Sequence, residues 1–384
     1  MSYKWVKLLA LGSILAAGSA VTGLCASAQA NTTTQAAPAQ LRIALLLPLH
    51  SKSLGQAAES VRAGFIAAYQ REQDGASVSV IDSGDDAEEI VSGYIGALGT
   101  HDVLVGPLSR SGVSAIAHSG AVRKPTIALN QPEPTTAGKN AADGALPQQM
   151  LVMGLSVEDE ARQVARWIGA GQAAAKVFVL TGTSAWQRRA AKAFASESQA
   201  LGLAAQSLEI STAGGDLNAG ALAQLRQRIS KEQPAALFVA LDAEQARQLR
   251  SAIGDEVPLY GTSQLNPYAL SDSAAAEALS ALNGVRLVDL PWLLQADHPA
   301  VMVYPRSVPD PEQKRSADLE RLYALGIDAY RVAREIGARH TRFEIDGVSG
   351  RLSVNFGAGM PEFRRIEQPA MVQDGVILPL LNKP

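Results

Sequence analysis

The chain has 384 residues, 34 of them Lys or Arg and 37 Asp or Glu, a formal charge of −3, and 47% hydrophobic content. That length and apolar fraction suffice for roughly two domains, each with its own core. The charge balance leaves no basic surface for nucleic acid or an anionic membrane, and a single cysteine, Cys25, excludes a disulfide framework.

Met1 to Ala30 reads as a secretory signal, with Lys4 and Lys7 as the positive end, Leu8 to Leu24 as the apolar stretch and Ala28-Gln29-Ala30 as the cleavage site. Gly12, Ser13, Gly18, Ser19, Thr22 and Gly23 interrupt the apolar stretch, which argues against an uncleaved membrane anchor. Lipidation of Cys25 is not expected, because the residue before it is Leu24 and a lipidation box needs a small residue there. The expectation is a periplasmic protein, soluble after cleavage near Ala30, with residues 31–40 as a flexible leader.

Leu41 to Leu47 is a near-continuous apolar run ended by Pro48, as in a strand buried on both faces. Ser53, with Gln56 three residues on, predicts a capping box. The helix behind it carries an apolar stripe of Leu54, Ala57, Val61, Phe65 and Ala68. Strand and helix then alternate: Val78 to Asp82, a helix from Asp85 to Leu98, Val103 to Val105, a helix capped by Ser109 or Ser111, Thr126 to Leu129, and Met150 to Gly154 after a polar loop from Gln131 to Gln148. This rhythm predicts right-handed crossovers and a mostly parallel sheet in a first lobe over 41–154.

The pattern restarts at Ser156, which caps a helix faced by Val157, Ala161, Val164, Ala165 and Ile168. Lys176 to Leu180, Leu203 to Ile210, Ala236 to Ala240, Leu259 to Thr262 and Val285 to Val288 are the strands of a second lobe over 155–290, with helices at Trp186 to Ala200, Leu217 to Ile229 and Ala243 to Ile253 between them. Leu319 to Ile336 is a long amphipathic helix. Phe343 to Ile345 and Arg351 to Val354 alternate around Asp346-Gly347-Val348-Ser349-Gly350 as a hairpin. Residues 291–384 are expected to cross between the lobes and return to the first. The predicted class is α/β: two lobes, each a mostly parallel sheet flanked by helices, with a cleft between them.

No Gly-x-Ser-x-Gly elbow, phosphate loop, His-Glu-x-x-His pair or Ser-x-x-Lys motif occurs, and the five histidines are scattered. No catalytic residue, metal site or cofactor is therefore predicted. Ligand positions follow from sheet geometry, in the loops after the strands: Ser51, Ser53, Ser83, Ser109, Asn130 and Gln131 from the first lobe, and Thr181, Ser184, Trp186, Asp242, Thr262 and Ser263 from the second. Small hydroxyls and helix N-termini can hold a carboxylate or a sugar hydroxyl. The same residue types are also ordinary caps and turns. Asp289-Leu290-Pro291-Trp292 is read as an interlobe crossing, in which an exposed Trp292 would suit an interface anchor.

The opening strand-proline-helix and the Val103 to Pro107 strand resemble the type I periplasmic-binding-protein fold. Three later stretches, Asp289 to Leu294, Leu322 to Tyr330 and Phe343 to Ser353, resemble the penicillin-binding protein activator family, the LppC/LpoA-like proteins. The resemblance implies a non-catalytic regulator that binds a bifunctional class A penicillin-binding protein and stimulates peptidoglycan synthesis. The fold by itself equally serves a solute-binding protein of an ABC importer, with a small polar ligand in the cleft. The sequence shows neither the lipidation box nor the helical-repeat domain of the activators it resembles, so a diffusible or solute-sensing role stays open.

Overall fold

The structure, a computed structural model, describes residues 40–380 apart from 74, 134–145, 172–173, 270–271, 307–315 and 358. The signal, the leader, Cys25 and most of the polar loop lie outside the described residues. The first sheet is built from β1 (Arg42–Leu47), α1 (Gly55–Glu72), β2 (Ser77–Asp82), α2 (Ala87–Leu98), β3 (Val103–Val105), α3 (Arg110–His118), β4 (Thr126–Ala128) and β5 (Met150–Val152). Its strands run in the order β2-β1-β3-β4-β5, every pair parallel. Strand β1 shows why its sequence is so apolar: Ile43, Leu45 and Leu47 pack into one core while Ala44 and Leu46 pack into another on the opposite face.

The chain then leaves for a second sheet through α4 (Val157–Gly171), β6 (Lys176–Thr181), α5 (Ala185–Ala200), β7 (Ala204–Glu209), the small pair β8 (Thr212–Ala213) and β9 (Asp216–Leu217), α6 (Ala219–Glu232), β10 (Ala236–Ala240), α7 (Ala243–Ile253), β11 (Leu259–Gly261), α8 (Asp272–Ala281) and β12 (Arg286–Asp289). It returns through α9 (Pro291–Leu294) and α10 (Pro299–Met302) to α11 (Ala317–Gly337), and an antiparallel sheet of β13 (Arg342–Asp346), β14 (Arg351–Asn355) and β15 (Glu362–Ile366) follows. Tyr323, Ile327 and Tyr330 of α11 and Ile345, Leu352 and Val354 of that sheet join the core under β1.

The last two strands, β16 (Gln368–Gln373) and β17 (Val376–Pro379), do not follow them. The seven-stranded second sheet runs β17-β16-β12-β11-β10-β6-β7, with β16 antiparallel to β12. Residues 291–384 were expected to return to the first lobe, whereas β16 and β17 extend the second sheet. The reason is burial: Ala370 and Val372 fill the core beside Leu287.

Helices α1 and α11 meet at two glycines. A Cβ on Gly64 would lie 1.9 Å from the Tyr323 carbonyl oxygen, and one on Gly326 would lie 2.1 Å from that of Val61. Backbone cannot yield as a side chain can, so Gly326→Ala should cost about 2–3 kcal/mol in urea denaturation. Gly93→Ala on α2, where a Cβ meets nothing within 4 Å, should instead add about 0.5–1 kcal/mol of stability.

Candidate functional site

Most residues expected to face a ligand are spent on the backbone. Ser51 is buried, and its Oγ accepts from the amides of Leu54 at 3.0 Å and Ser53 at 3.3 Å. The predicted Ser53–Gln56 capping box does not form. Leu54 occupies the N-cap of α1, and Ser51 supplies the acceptor while Ser53 stays exposed. Ser109 caps α3 by accepting from Gly112 N at 3.1 Å, Ser184 forms a capping box with Gln187 on α5, and Asp242 caps α7 by accepting from Gln245 N at 2.8 Å. Ser83 and Thr181 donate to the carbonyls of Gly84 and Gly182. Asn130 bridges Leu108 O and Gln131 N, and Thr262 accepts from Gln264 N. Trp186 is half-buried on α5.

Trp292 corrects a further expectation. It is 0% exposed, donates from Nε1 to Glu320 at 2.7 Å, and lies under the guanidinium of Arg306, 4.1 Å from its ring centre. A ring held in this way packs the crossing and offers no interface anchor.

Ser263 leads to what sequence reasoning missed. Its amide and hydroxyl donate to the carboxylate of Glu160 at 2.7 and 3.1 Å. Its carbonyl accepts from Arg321, which also grips Asp289 with two bonds of 3.0 and 2.8 Å. Asn266 donates to the same Asp289 at 2.8 Å. Glu160 lies near the start of α4, Asp289 ends β12, and Arg321 sits on α11, so one buried network ties together the elements flanking two crossings.

The third crossing is held beside it. Arg365 donates to the carbonyls of Gly154 and Met153 and to the Ser349 hydroxyl, and the Gln163 carboxamide bonds both the amide and the carbonyl of Glu367. Asp328, fully buried on α11, accepts from Val348 N, Ser349 N and Ser349 Oγ, which fixes the turn of the hairpin. The available signal for these residues was their position. Glu160 lies one turn before Val164, and Arg321 and Asp328 interrupt the apolar stripe of α11, where a solvated charge does not belong.

Burial pushes the Glu160 carboxyl up to about 7, against the pull of the Ser263 bonds and the Arg321 charge. Burial would lower the Arg321 guanidinium, but the charge and hydrogen bonds of Asp289 hold it above its ordinary value. Two cavities flank the network. One of about 340 Å³ is lined by Asp242, Ser263, Asn266, Ser316 and Arg321, and it includes two of the expected cleft residues. The other, about 660 Å³, lies between α4 and the β13–β15 sheet, and of the expected residues it takes in Gln131. No cluster of nucleophile, base and oxyanion donors assembles around either cavity among the described residues.

The sequence matches the model of the family described as "LppC putative lipoprotein" over residues 25–360. It is 27% identical over 349 residues to the penicillin-binding protein activator LpoA of Photobacterium profundum. That match takes in 82% of this chain and 53% of that protein, so the chain spans about half the length of the curated relative. Among solved structures, one described as "a putative branched-chain amino acid ABC transporter" from Chromobacterium violaceum is 33% identical, with 85% of this chain and 100% of that one covered and a TM-score of 0.65. The C-domain of LpoA from Haemophilus influenzae, described as a regulator of PBP1A, is 20% identical over 88% of this chain and 100% of that one, with a TM-score of 0.65. At that identity the likeness shows the fold alone.

Removing the Arg321 charge would leave Asp289 buried and uncompensated, so Arg321→Met should lower the unfolding free energy by about 3–5 kcal/mol in guanidinium titrations. Glu160 generates a pH signature. Its native carboxyl titrates at about 7 against an ordinary 4.5, so the native state holds the proton where the unfolded chain has released it, and stability falls as pH rises through that window. Glu160→Gln should abolish this contribution, and its advantage over the parent should grow by about 1–3 kcal/mol between pH 4.5 and pH 7.

Proposed function

The chain belongs to the LppC family, and from that premise we propose that it is a non-catalytic periplasmic regulator that binds a bifunctional class A penicillin-binding protein and activates peptidoglycan synthesis by contact. The observation that carries this reading is the pairing of the expected cleft groups. Ser109, Ser184 and Asp242 accept from the amides of the helices they cap, and Ser263 donates to Glu160. A receptor for a small polar solute needs donors and acceptors left free to meet it. An interlobe frame tied by buried ion pairs suits a body that presents a fixed surface to a partner.

The export expected from Met1 to Ala30 would suit the same assignment. Cleavage near Ala30 would leave a mature chain without Cys25, and no described helix is long and apolar enough to cross a membrane. The intact mass of the exported protein checks this directly. A chain beginning at Asn31 is expected, whereas an acylated N-terminus at Cys25 would make the protein a lipid-anchored one.

One observation favours a second reading, a solute-binding protein of an ABC importer: the 33% identical relative, matched over its whole length, is described as a transporter protein. The two readings separate in a pair of measurements. The mature chain should be retained with a class A synthase in a pull-down from solubilised membranes and should raise its glycan polymerisation rate several-fold. Leucine, isoleucine and valine at about 1 mM should leave the melting temperature unchanged. A shift of several degrees with any of them, and no synthase retained, would reverse the assignment.

A further inference from the structure

Helices α2 and α3 lie side by side on one face of the first sheet and close the core formed with Ala44, Leu46 and Leu104. Ile90, Tyr94 and Ala97 face inward from α2, which leaves Glu88, Ser92, Ile95 and Gly99 along its outer side. Ile95 is 52% exposed. A lone exposed isoleucine is ordinary, but this one stands between two apolar hollows. Val91 and Ala115 help to line one of about 550 Å³, Leu98, Ala121 and Arg123 line one of about 470 Å³, and Ile95 lines both. A contiguous apolar groove on a water-facing layer marks a contact surface.

Exposed Gly96 points the same way. A Cβ there would meet nothing within 4 Å, so packing within the chain does not call for glycine, and glycine inside a helix weakens it relative to alanine. With Ser92 one turn before it, Gly96 lets a second helix approach closely. The two ends of the face differ in charge. Asp85, Asp86 and Glu88 crowd the start of α2, whereas Arg123 and Lys124 stand at the far end beside Leu98 and Gly99. Lys124 donates to the His101 carbonyl. Glu88 and Arg123 are exposed, and neither makes an ion pair or side-chain hydrogen bond among the described residues.

We propose that this face pairs with the same face of a second copy of the chain, α2 lying antiparallel to α2 about a two-fold axis. An axis midway between Val91 and Ile95 sets each Ile95 into the hollow beside Val91 of the second copy. The same operation brings each Glu88 to the end where Arg123 of the second copy stands, so two ion pairs form by symmetry. A parallel pairing would instead set acidic end on acidic end. A face that is apolar at its centre and opposite in charge at its ends is its own complement, and no other partner needs to be supplied to satisfy it. The pairing lies on the first sheet, away from the crossings, and is independent of the choice between regulator and importer.

The test is sedimentation velocity of the full exported chain between about 1 and 200 µM. A reversible dimer with a Kd on the order of 10–100 µM is expected, as for a small, transient interface. Ile95→Asp, Glu88→Arg and Arg123→Glu should each weaken it about tenfold or more. These are exposed changes, so each variant should melt within about 2 °C of the parent. Combining Glu88→Arg with Arg123→Glu should restore the dimer, because the symmetry reverses both ion pairs at once. A chain that stays monomeric at about 200 µM would overturn the proposal, as would a dimer that the single substitutions leave intact or a double variant as weak as the single ones. A monomer that loses its retention by a class A synthase on Ile95→Asp would overturn it too, and would assign the face to that partner.

Discussion

The buried pairing of Asp289 with Arg321 is the constraint on which the rest of the structure depends. Both charges are taken out of water, which is tolerable only because the remaining oxygens and nitrogens find partners: Asn266 and the Leu290 amide on Asp289, and Ser263 O and Asp318 on Arg321. That completeness fixes where α11 begins relative to the end of β12. Farther along the same helix, Gly326 sets its approach to α1 and Asp328 seats the hairpin turn. A single helix thus positions the second sheet, the first sheet and the antiparallel sheet through three contacts within about two turns.

This arrangement bears on how the protein can work. Receptors of this architecture respond to ligand by moving one lobe against the other, which requires crossings that bend at little cost. Here each crossing is held: Arg365 grips the first, Asp289 and Trp292 are buried in the second, and Gln163 bonds both backbone groups of the third at Glu367. A body fastened in this way is suited to presenting a fixed surface, which fits the regulator by contact proposed above. Glu160 and Glu367 are the exceptions to its economy, carboxylates buried close together at a cost in stability, and stability given up locally in this way is typical of sites that meet a ligand or partner.

Much of the architecture could be read from the chain because parallel strands buried on both faces leave little room for polar residues. Arg42–Leu47, Lys176–Thr181 and Ala236–Ala240 declare themselves by composition alone, and Ser109, Ser156 and Asp242 mark helix starts within a residue or two. What escaped reading was partner choice. Nothing local in Gln368–Gln373 states that it pairs with β12 and not with the first sheet, since an antiparallel edge strand looks alike beside either. The candidate site misled for a related reason. Serines after strands were read for ligands, and the backbone amides of the next helix had the first claim on them. Conversely, Glu160 is one of three acidic residues in the first turn of α4, and its neighbours Glu158 and Asp159 are the two with arginine partners near the surface. Only the tertiary fold turns Glu160 inward.

The bond between Gln163 and Glu367 spans 204 residues of sequence, and the one between Gly154 and Arg365 spans 211. The second sheet is complete only once β16 and β17, near the end of the chain, have joined it, and closing loops of that length must be accomplished before the contacts that reward it exist. The same separation that knits the two halves into one body thus makes their joining a late event in folding.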